Sequence, residues 1–229
     1  MTDTPSALKA LAIDSAASRL EIAAVNGALS VSLSLDRGLH MAEGLIPALE
    51  DVLNHAGLAP GDLDFIALNR GPGSFTSLRL GFALAKGLSF QGGCPVYAVP
   101  AMALYARPFR QFHAAVVPAI DAKRHRFYAA VFRQGAETVP AGDYTPEAIA
   151  AFLDPEEPAL LAGPDGALLR DALWGIRPEA RLFSVESPVQ SAQALLELAS
   201  LSRNAGAPPL RDFEGPLYIR LSEAEEGAA

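Results

Sequence analysis

The sequence predicts an α/β protein in two lobes. Apolar runs of strand length alternate with segments of helical periodicity, and the first lobe reads as three strands, a helix, a strand and a second helix. Between that strand and that helix, the stretch Arg70-Gly71-Pro72-Gly73-Ser74-Phe75-Thr76 breaks an apolar run and opens a long apolar segment. A second set of strands begins after Pro108, and its first strand, like that of the first set, ends in an aspartate.

Leu8 to Ile13 is an apolar run closed by Asp14, and Leu20 to Val25 is another. Gly27 turns that run into Leu29 to Leu35, where Leu29, Val31, Leu33 and Leu35 alternate with serines. Period two marks a strand with one wet face, so these three runs predict an antiparallel meander. Met41 to His55 follows as a helix with Leu45, Ile46, Leu49, Val52 and Leu53 at helical spacing and Gly57 just past its end. Pro47 lies near its start, where a proline is tolerated. Asp64 to Leu68 reads as a buried strand. Phe75 to Phe90 reads as a helix, with Ser74 and Thr76 as candidate N-caps. That helix is apolar nearly all round, and Gly81, Ala83, Ala85 and Gly87 would let it pack closely against neighbours.

Val96 to Val99 is a short strand, and Ala101 to Ala106 a brief helix. The division between lobes is placed at residues 107 and 108. In the second lobe, strands run from Ala114 to Ile120 and from Arg126 to Phe132, separated by Asp121-Ala122-Lys123-Arg124-His125. Arg133 to Pro158 carries little signal apart from a helix over Pro146 to Leu153. Ala159 to Ala162 reads as a strand, and Gly163-Pro164-Asp165 as a turn leading to a short helix that ends near Leu173. Ser191 starts a helix with Ala194, Leu195, Leu198 and Leu201 on one face. Gly215 to Arg220 reads as a short ordered element, and Ser222 to Ala229 as a flexible acidic tail.

The 229 residues are 50% hydrophobic and carry a formal net charge of −8, which excludes a self-sufficient nucleic-acid binder with a basic face. The single cysteine, Cys94, excludes a disulfide framework and a thiolate metal site. No apolar run approaches the roughly 18 residues of a membrane helix. No basic segment precedes an apolar core at the N-terminus, so a cytoplasmic protein is expected.

Strand, glycine turn and helix N-terminus together present backbone N–H groups and a positive dipole end to an anion. Asp14, Gly71, Gly73, Ser74, Thr76 and Asp121 are therefore candidates for binding an anion or nucleotide, and the two aspartates for holding magnesium across a cleft. The alternative is structural: the glycines let strand and helix pack closely, and each aspartate caps its own turn. Several chemistries are missing. The loop lacks the lysine of a P-loop, no G-x-S-x-G elbow occurs, and His40, His55, His113 and His125 form no metal-ligand spacing.

Ala12-Ile13-Asp14-Ser15, His40, Arg70 to Thr76 with Arg79 and Ala85-Lys86-Gly87-Leu88, Ala119-Ile120-Asp121-Ala122 with Tyr128, and Pro216-Leu217-Tyr218-Ile219-Arg220 occur in this order along nearly the whole chain. Together they resemble the TsaB (YeaZ) family, required for making threonylcarbamoyladenosine in tRNA. The resemblance implies an actin/Hsp70-like ATPase fold of two ribonuclease-H-like lobes. It also implies a non-catalytic scaffold that activates the complex adding a threonylcarbamoyl group to the adenosine beside the anticodon.

The partners implied are a catalytic TsaD-like subunit, in a heterodimer, and a small TsaE-like ATPase; tRNA is reached only through the complex. A homodimer of the free chain is a further possibility. The catalytic relatives carry an H-x-x-x-H metal helix where this chain has Pro100-Ala101-Met102-Ala103-Leu104-Tyr105. The family joins its partner through its first two helices, so Leu45, Leu49, Val52, Leu80, Leu84 and Leu88 are expected at that interface. No cofactor is expected on the chain alone, with ATP or ADP and magnesium entering only in the assembled complex.

Departures from the family are Ser77 and His125-Arg126, where glycine and a glycine–acid pair are usual. Asp14 is followed by Ser-Ala-Ala-Ser, without the phosphate-approaching glycine of true ATPases of the fold. The competing reading is an actin-like-fold ATPase or small-molecule kinase using Asp14, the Gly71–Thr76 loop and Asp121. A glycoprotease-type hydrolase lacks both metal ligands and an activated nucleophile.

Overall fold

A computed structural model describes residues 7–36, 41–185 and 191–220. His40 and the acidic stretch Ser222 to Ala229 lie outside the described residues. The first unit runs β1 (Lys9–Asp14), β2 (Arg19–Asn26), β3 (Leu29–Asp36), α1 (Met41–Ala56), β4 (Phe65–Gly71), α2 (Phe75–Gly92), β5 (Val96–Pro100) and α3 (Ala101–Ala106). The second runs β6 (Ala115–Lys123), β7 (Arg126–Arg133), β8 (Ala136–Tyr144), α4 (Pro146–Phe152), β9 (Ala159–Ala162), α5 (Gly166–Trp174), β10 (Leu182–Ser184) and α6 (Ser191–Asn204).

The two units have the same succession, βββαβαβα, and the same sheet order. One sheet is ordered β3-β2-β1-β4-β5 and the other β8-β7-β6-β9-β10. In each, the first three strands are antiparallel and the last two add in parallel. This is the duplicated ribonuclease-H-like topology of the actin-like fold, which the sequence repeats only in Asp14, the last residue of β1, and Asp121, two residues before the end of β6. Among the described residues, no helix is long and apolar enough to cross a membrane.

The alternation within β1 shows how the layers are built. Leu11 and Ile13 point outward into a core made with Leu45, Leu49, Val52 and Leu53 of α1 and Phe82 and Ala85 of α2. Ala10 and Ala12 point the other way, into a second core with α3, α6 and residues of the second sheet such as Val116, Ile120 and Ala130. The inner face of the first sheet therefore carries Ala10, Ala12, Ala23 and Ala67 beside the larger Phe65 and Val99, while its outer face carries Leu11, Ile13, Leu20, Ile22, Ile66 and Leu68. Small inner residues make room for two helices between two sheets.

α6 corrects the simple division at residue 107. It belongs to the second unit in sequence, yet it packs on β1, β2, β4 and β5 of the first sheet and against α3. The segment beyond it also returns, with the Leu210 N–H donating to the Val96 carbonyl at 2.7 Å. Two strands escape the sequence pattern. β8 contains Pro140 and Gly142, both poor strand residues, and is held as an edge strand with irregular register against β7. β10 has three residues and no period to read.

The turn before α2 is built by close approach. The Ser74 N–H donates to the Ala16 carbonyl at 2.7 Å, and the Ser15 hydroxyl donates to the Ser77 carbonyl at 2.9 Å. Gly73 sits so near Ala16 that a Cβ there would overlap the Ala16 backbone. Farther along α2, Gly81 lies against Ser15, so its missing side chain serves the sheet and not a second helix. α2 ends at Gly93, left-handed at φ 68°, whose N–H donates to the Ser89 carbonyl at 2.8 Å.

A Gly73→Ala replacement must push the α2 turn away from the strand β1 turn. Chemical denaturation should show a loss of about 1–3 kcal/mol, the usual cost of overpacking a tight contact. A midpoint equal to that of the unchanged protein would show that Gly73 is not a packing requirement.

Candidate functional site

On the inner face of the first sheet the alanine pattern ends in polar residues. Asp14 at the end of β1, Glu21 opposite it on β2 and Asn69 on β4 meet Tyr105 of α3 and Ser191, the first residue of α6. All five are buried. Asp14 accepts from the Ala16 N–H (3.1 Å), Asn69 Nδ2 (2.8 Å) and the Tyr105 hydroxyl (3.1 Å), and its Oδ2 lies 2.7 Å from the Ser191 hydroxyl. Burial pushes the Asp14 carboxyl above its ordinary range, against the opposing pull of these hydrogen bonds. Burial, and then the charge of Asp14, raises the Tyr105 hydroxyl well above its usual value. A cavity of about 290 Å³ borders this cluster, with Arg19 and Asp36 among its lining residues.

A larger cleft of about 600 Å³ lies between the lobes. The turn after β1 (Ala16 to Ser18) and the α2 turn (Pro72 to Phe75) form one wall, the end of β6 with Asp165 the other, and Leu217 to Arg220 close it. Asp121 is engaged within this cleft. Its carboxylate accepts from Lys123 Nζ at 2.6 Å and from the Lys123 N–H at 2.8 Å, while its own N–H donates to Asp165 at 2.8 Å. Burial raises the Asp165 carboxyl above its ordinary range. Lys123, Arg124 and His125, which close the β6–β7 hairpin, all have left-handed backbone, with φ of 63°, 54° and 57°.

The six anion candidates do not converge. Gly73, Ser74 and Asp121 reach the cleft. Gly71 (φ 98°) is buried under the Leu217 carbonyl and the Leu78 side chain, and Thr76 is exposed in the first turn of α2 without lining the cleft. Asp14 faces the inner cluster. Three donors of the turn serve the fold: the Ser74 N–H is used by Ala16, the Ser77 N–H by Ser74 Oγ and the Gly71 N–H by Asn69 Oδ1. Asp14 borders the inner cavity and Asp121 the cleft, so the two carboxylates do not share a pocket.

The interface expectation also requires correction. Leu45, Leu49, Val52 and Leu88 are 4%, 5%, 1% and 7% exposed, inside the chain's own core. Leu80 and Leu84 are half-buried on α2, and on α1 Ile46 is a large apolar residue exposed at 49%. Helical spacing identified an apolar stripe but not which edge of it faces outward.

Sequence reasoning missed Glu21, Asn69, Tyr105 and Ser191. A signal existed for Glu21, a lone carboxylate within the apolar run Leu20 to Val25. The C-terminal hallmark is a strap over α2. Lys86 Nζ donates to the carbonyls of Asp212 (2.6 Å) and Glu214 (2.7 Å), and the Leu217 N–H to the Arg70 carbonyl (2.7 Å). Tyr218 stacks on Phe75 with ring centroids 4.8 Å apart, and Arg79 lies over Phe75 at 3.8 Å. Arg220 then crosses to the second lobe, donating to the Ala122 carbonyl at 2.9 Å and pairing with Asp143 at 3.5 Å.

Residues 38–165, more than half of the chain, match the family described as TsaD: tRNA N6-adenosine threonylcarbamoyltransferase. The tRNA threonylcarbamoyladenosine biosynthesis protein TsaB of Bacillus subtilis strain 168 is 28% identical over 185 residues, 79% of this chain and 80% of that protein. The protein of the same name from Escherichia coli K12 is 30% identical over 152 residues, 65% of this chain and 64% of its own. Among solved structures, YeaZ from Pseudomonas aeruginosa superposes with a TM-score of 0.70 at 26% identity, covering 92% of this chain and 99% of that one.

The strap closes the cleft between its two walls, and its hold on α2 is measurable. A Tyr218→Ala change removes a ring pair worth about 1 kcal/mol and should speed amide exchange at Leu217 several-fold. Exchange at Leu217 unchanged from the parent protein would show that the ring pair does not hold the strap.

Proposed function

The chain belongs to the TsaB/YeaZ family and carries a TsaD-like domain, and we propose that it works as a non-catalytic subunit in making threonylcarbamoyladenosine in tRNA. Its role is in that modification. The finer assignment, a scaffold that binds and activates a TsaD-like catalytic subunit, rests on one observation: the positions where an actin-like enzyme would do chemistry are occupied by structure. Asp14 is 3% exposed and is bonded to Asn69, Tyr105 and Ser191. α3, at the place of the catalytic relatives' metal helix, is a buried packing helix of Ala101, Met102, Leu104, Tyr105 and Ala106. The ATPase or kinase reading is not favoured.

The partner surface of this reading is the outer side of α1 and α2, now carried by Ile46, Leu80 and Leu84. An apolar edge of this kind gains by being covered. A TsaE-like ATPase completes the assembly, and nucleotide with magnesium enters only there. The net charge of −8 supports a division of labour in which other subunits hold the tRNA.

The purified chain should not turn over ATP with magnesium, whereas mixing it with a TsaD-like subunit should give a heterodimer by mass measurement. Turnover by the isolated chain, abolished in Asp121→Asn, would overturn the non-catalytic reading. Ile46→Glu and Leu84→Glu place a carboxylate on the outer side of α1 and α2. Together they should weaken association about a hundredfold or more, as an unpaired charge buried at an interface does. Undiminished association in folded double variants would remove these helices from the interface.

A further inference from the structure

Asp14 and Glu21 are direct partners in the antiparallel β1–β2 register and lie on the same inner face, 3% and 5% exposed. Like charges at such a pair repel. The hydrogen-bond partners of the two carboxyls are the Ala16 N–H, Asn69, Tyr105, Ser191 and the Ala192 N–H, with no lysine, arginine or histidine among the described residues. Two charges not bonded to any described basic group would thus stand side by side in a buried place, a costly arrangement.

The Ser191 hydroxyl resolves which protonation state fits. Its Oγ is 2.7 Å from Asp14 Oδ2 and 2.8 Å from Glu21 Oε2. A hydroxyl has one proton to give. It can satisfy one carboxylate, and the second contact is a hydrogen bond only when that carboxyl holds a proton and donates to Oγ. Glu21 Oε2 also receives the N–H groups of Ser191 (2.8 Å) and Ala192 (3.4 Å) at the N-terminus of α6, a setting that favours the ionised form. The proton then sits on Asp14 Oδ2 and donates to Ser191, which donates to Glu21. The Asn69 amide and the Ala16 N–H donate to the other oxygen of Asp14.

We infer that Asp14 and Glu21 hold one proton in common through the neutral range, passed along the Ser191 hydroxyl, and that this proton seats the N-terminus of α6 between the two sheets. Removing it leaves two charges facing each other beneath α6 and releases that end of the helix. Burial raises both carboxyls, with the charge of Asp14 adding to the effect on Glu21. The sign is therefore fixed. A carboxyl raised in the folded state contributes stability fully present in acid and lost as the pH climbs through its folded titration. Among the described residues, the other titratable or charged groups around the pair are Tyr105 on α3, Arg19 on β2 and Asp36 on β3; β4 and α6 contribute the neutral Asn69 and Ser191.

Infrared spectroscopy of the full chain at neutral pH should show the C=O stretch of a protonated carboxyl, lost on alkaline titration. Over the same interval the Ser191 and Ala192 amides should lose protection. Asp14→Asn keeps a hydrogen-bond donor and needs no shared proton. It should abolish the band, and α6 should keep its protection at alkaline pH. Relative to that variant, the parent's α6 should open about tenfold more per pH unit above the titration. The absence of a protonated carboxyl in the parent protein at neutral pH, which needs no variant, overturns the inference. So does a band that persists in both Asp14→Asn and Glu21→Gln, or α6 amides equally protected across the titration.

Discussion

Two helices share the space between two sheets, and this constraint governs most of the molecule. α3 and α6 both touch the inner face of the first sheet, and α3 also touches the second. Ala10, Ala12, Ala23 and Ala67 on that face give the helices room, and a larger side chain at any of them would cost about 1–3 kcal/mol by overpacking, while Phe65 on the same face lies under Arg203 of α6. The bulk displaced from the inner face appears on the outer one, as Leu11, Ile13, Ile22, Ile66 and Leu68. The alternation that makes β1 legible as a strand is thus also a size alternation, which assigns its faces.

The same constraint explains the polar cluster. At the end of the inner face the helices must be anchored, and α6 arrives by its N-terminus, where backbone donors need acceptors. Glu21 supplies one, and Asp14, two strand positions beyond Ala12, supplies the other through Ser191. Carboxylates placed there fix the approach of α6 in a way that alanine packing, tolerant of sliding, does not.

The fold was legible where local period and burial agree: the β1–β2–β3 meander, α1, the strand-to-α2 turn, the β6–β7 pair and α6 all follow the apolar pattern. β8 was not, because Pro140 and Gly142 deny it strand propensity and its edge position is conferred by β7 alone. The placement of α6 on the first sheet is a long-range matter that no local period encodes. At the site, the glycine turn was located correctly, but its purpose depended on the Ala16 carbonyl, 58 residues earlier in the chain than Ser74, which takes the Ser74 N–H at 2.7 Å. The partner-facing residues went wrong for a similar reason. In α1, Leu45 and Leu49 belong to the buried core and Ile46, next to Leu45, is exposed, and only the packed sheet decides between them.

Asp14 and Asp121 show how one topology reaches two outcomes. They occupy the ends of the first strands of two units with the same strand order. At Asp14, α6 of the other unit closes over the site, so the carboxyl is buried and bonded to α3, β4 and α6. At Asp121, the hairpin of Lys123, Arg124 and His125 stands at the cleft instead, and the carboxylate is met by a lysine 76% exposed at its side chain. A nucleotide-hydrolysing cleft needs both acids facing a common ligand. Here one anchors a helix and the other clamps a hairpin, so the duplicated architecture puts its two acids in separate pockets. What the arrangement keeps is α6 of the second unit packed across β1, β2, β4 and β5 of the first, so the buried acid joins the two units where the exposed one closes a single hairpin.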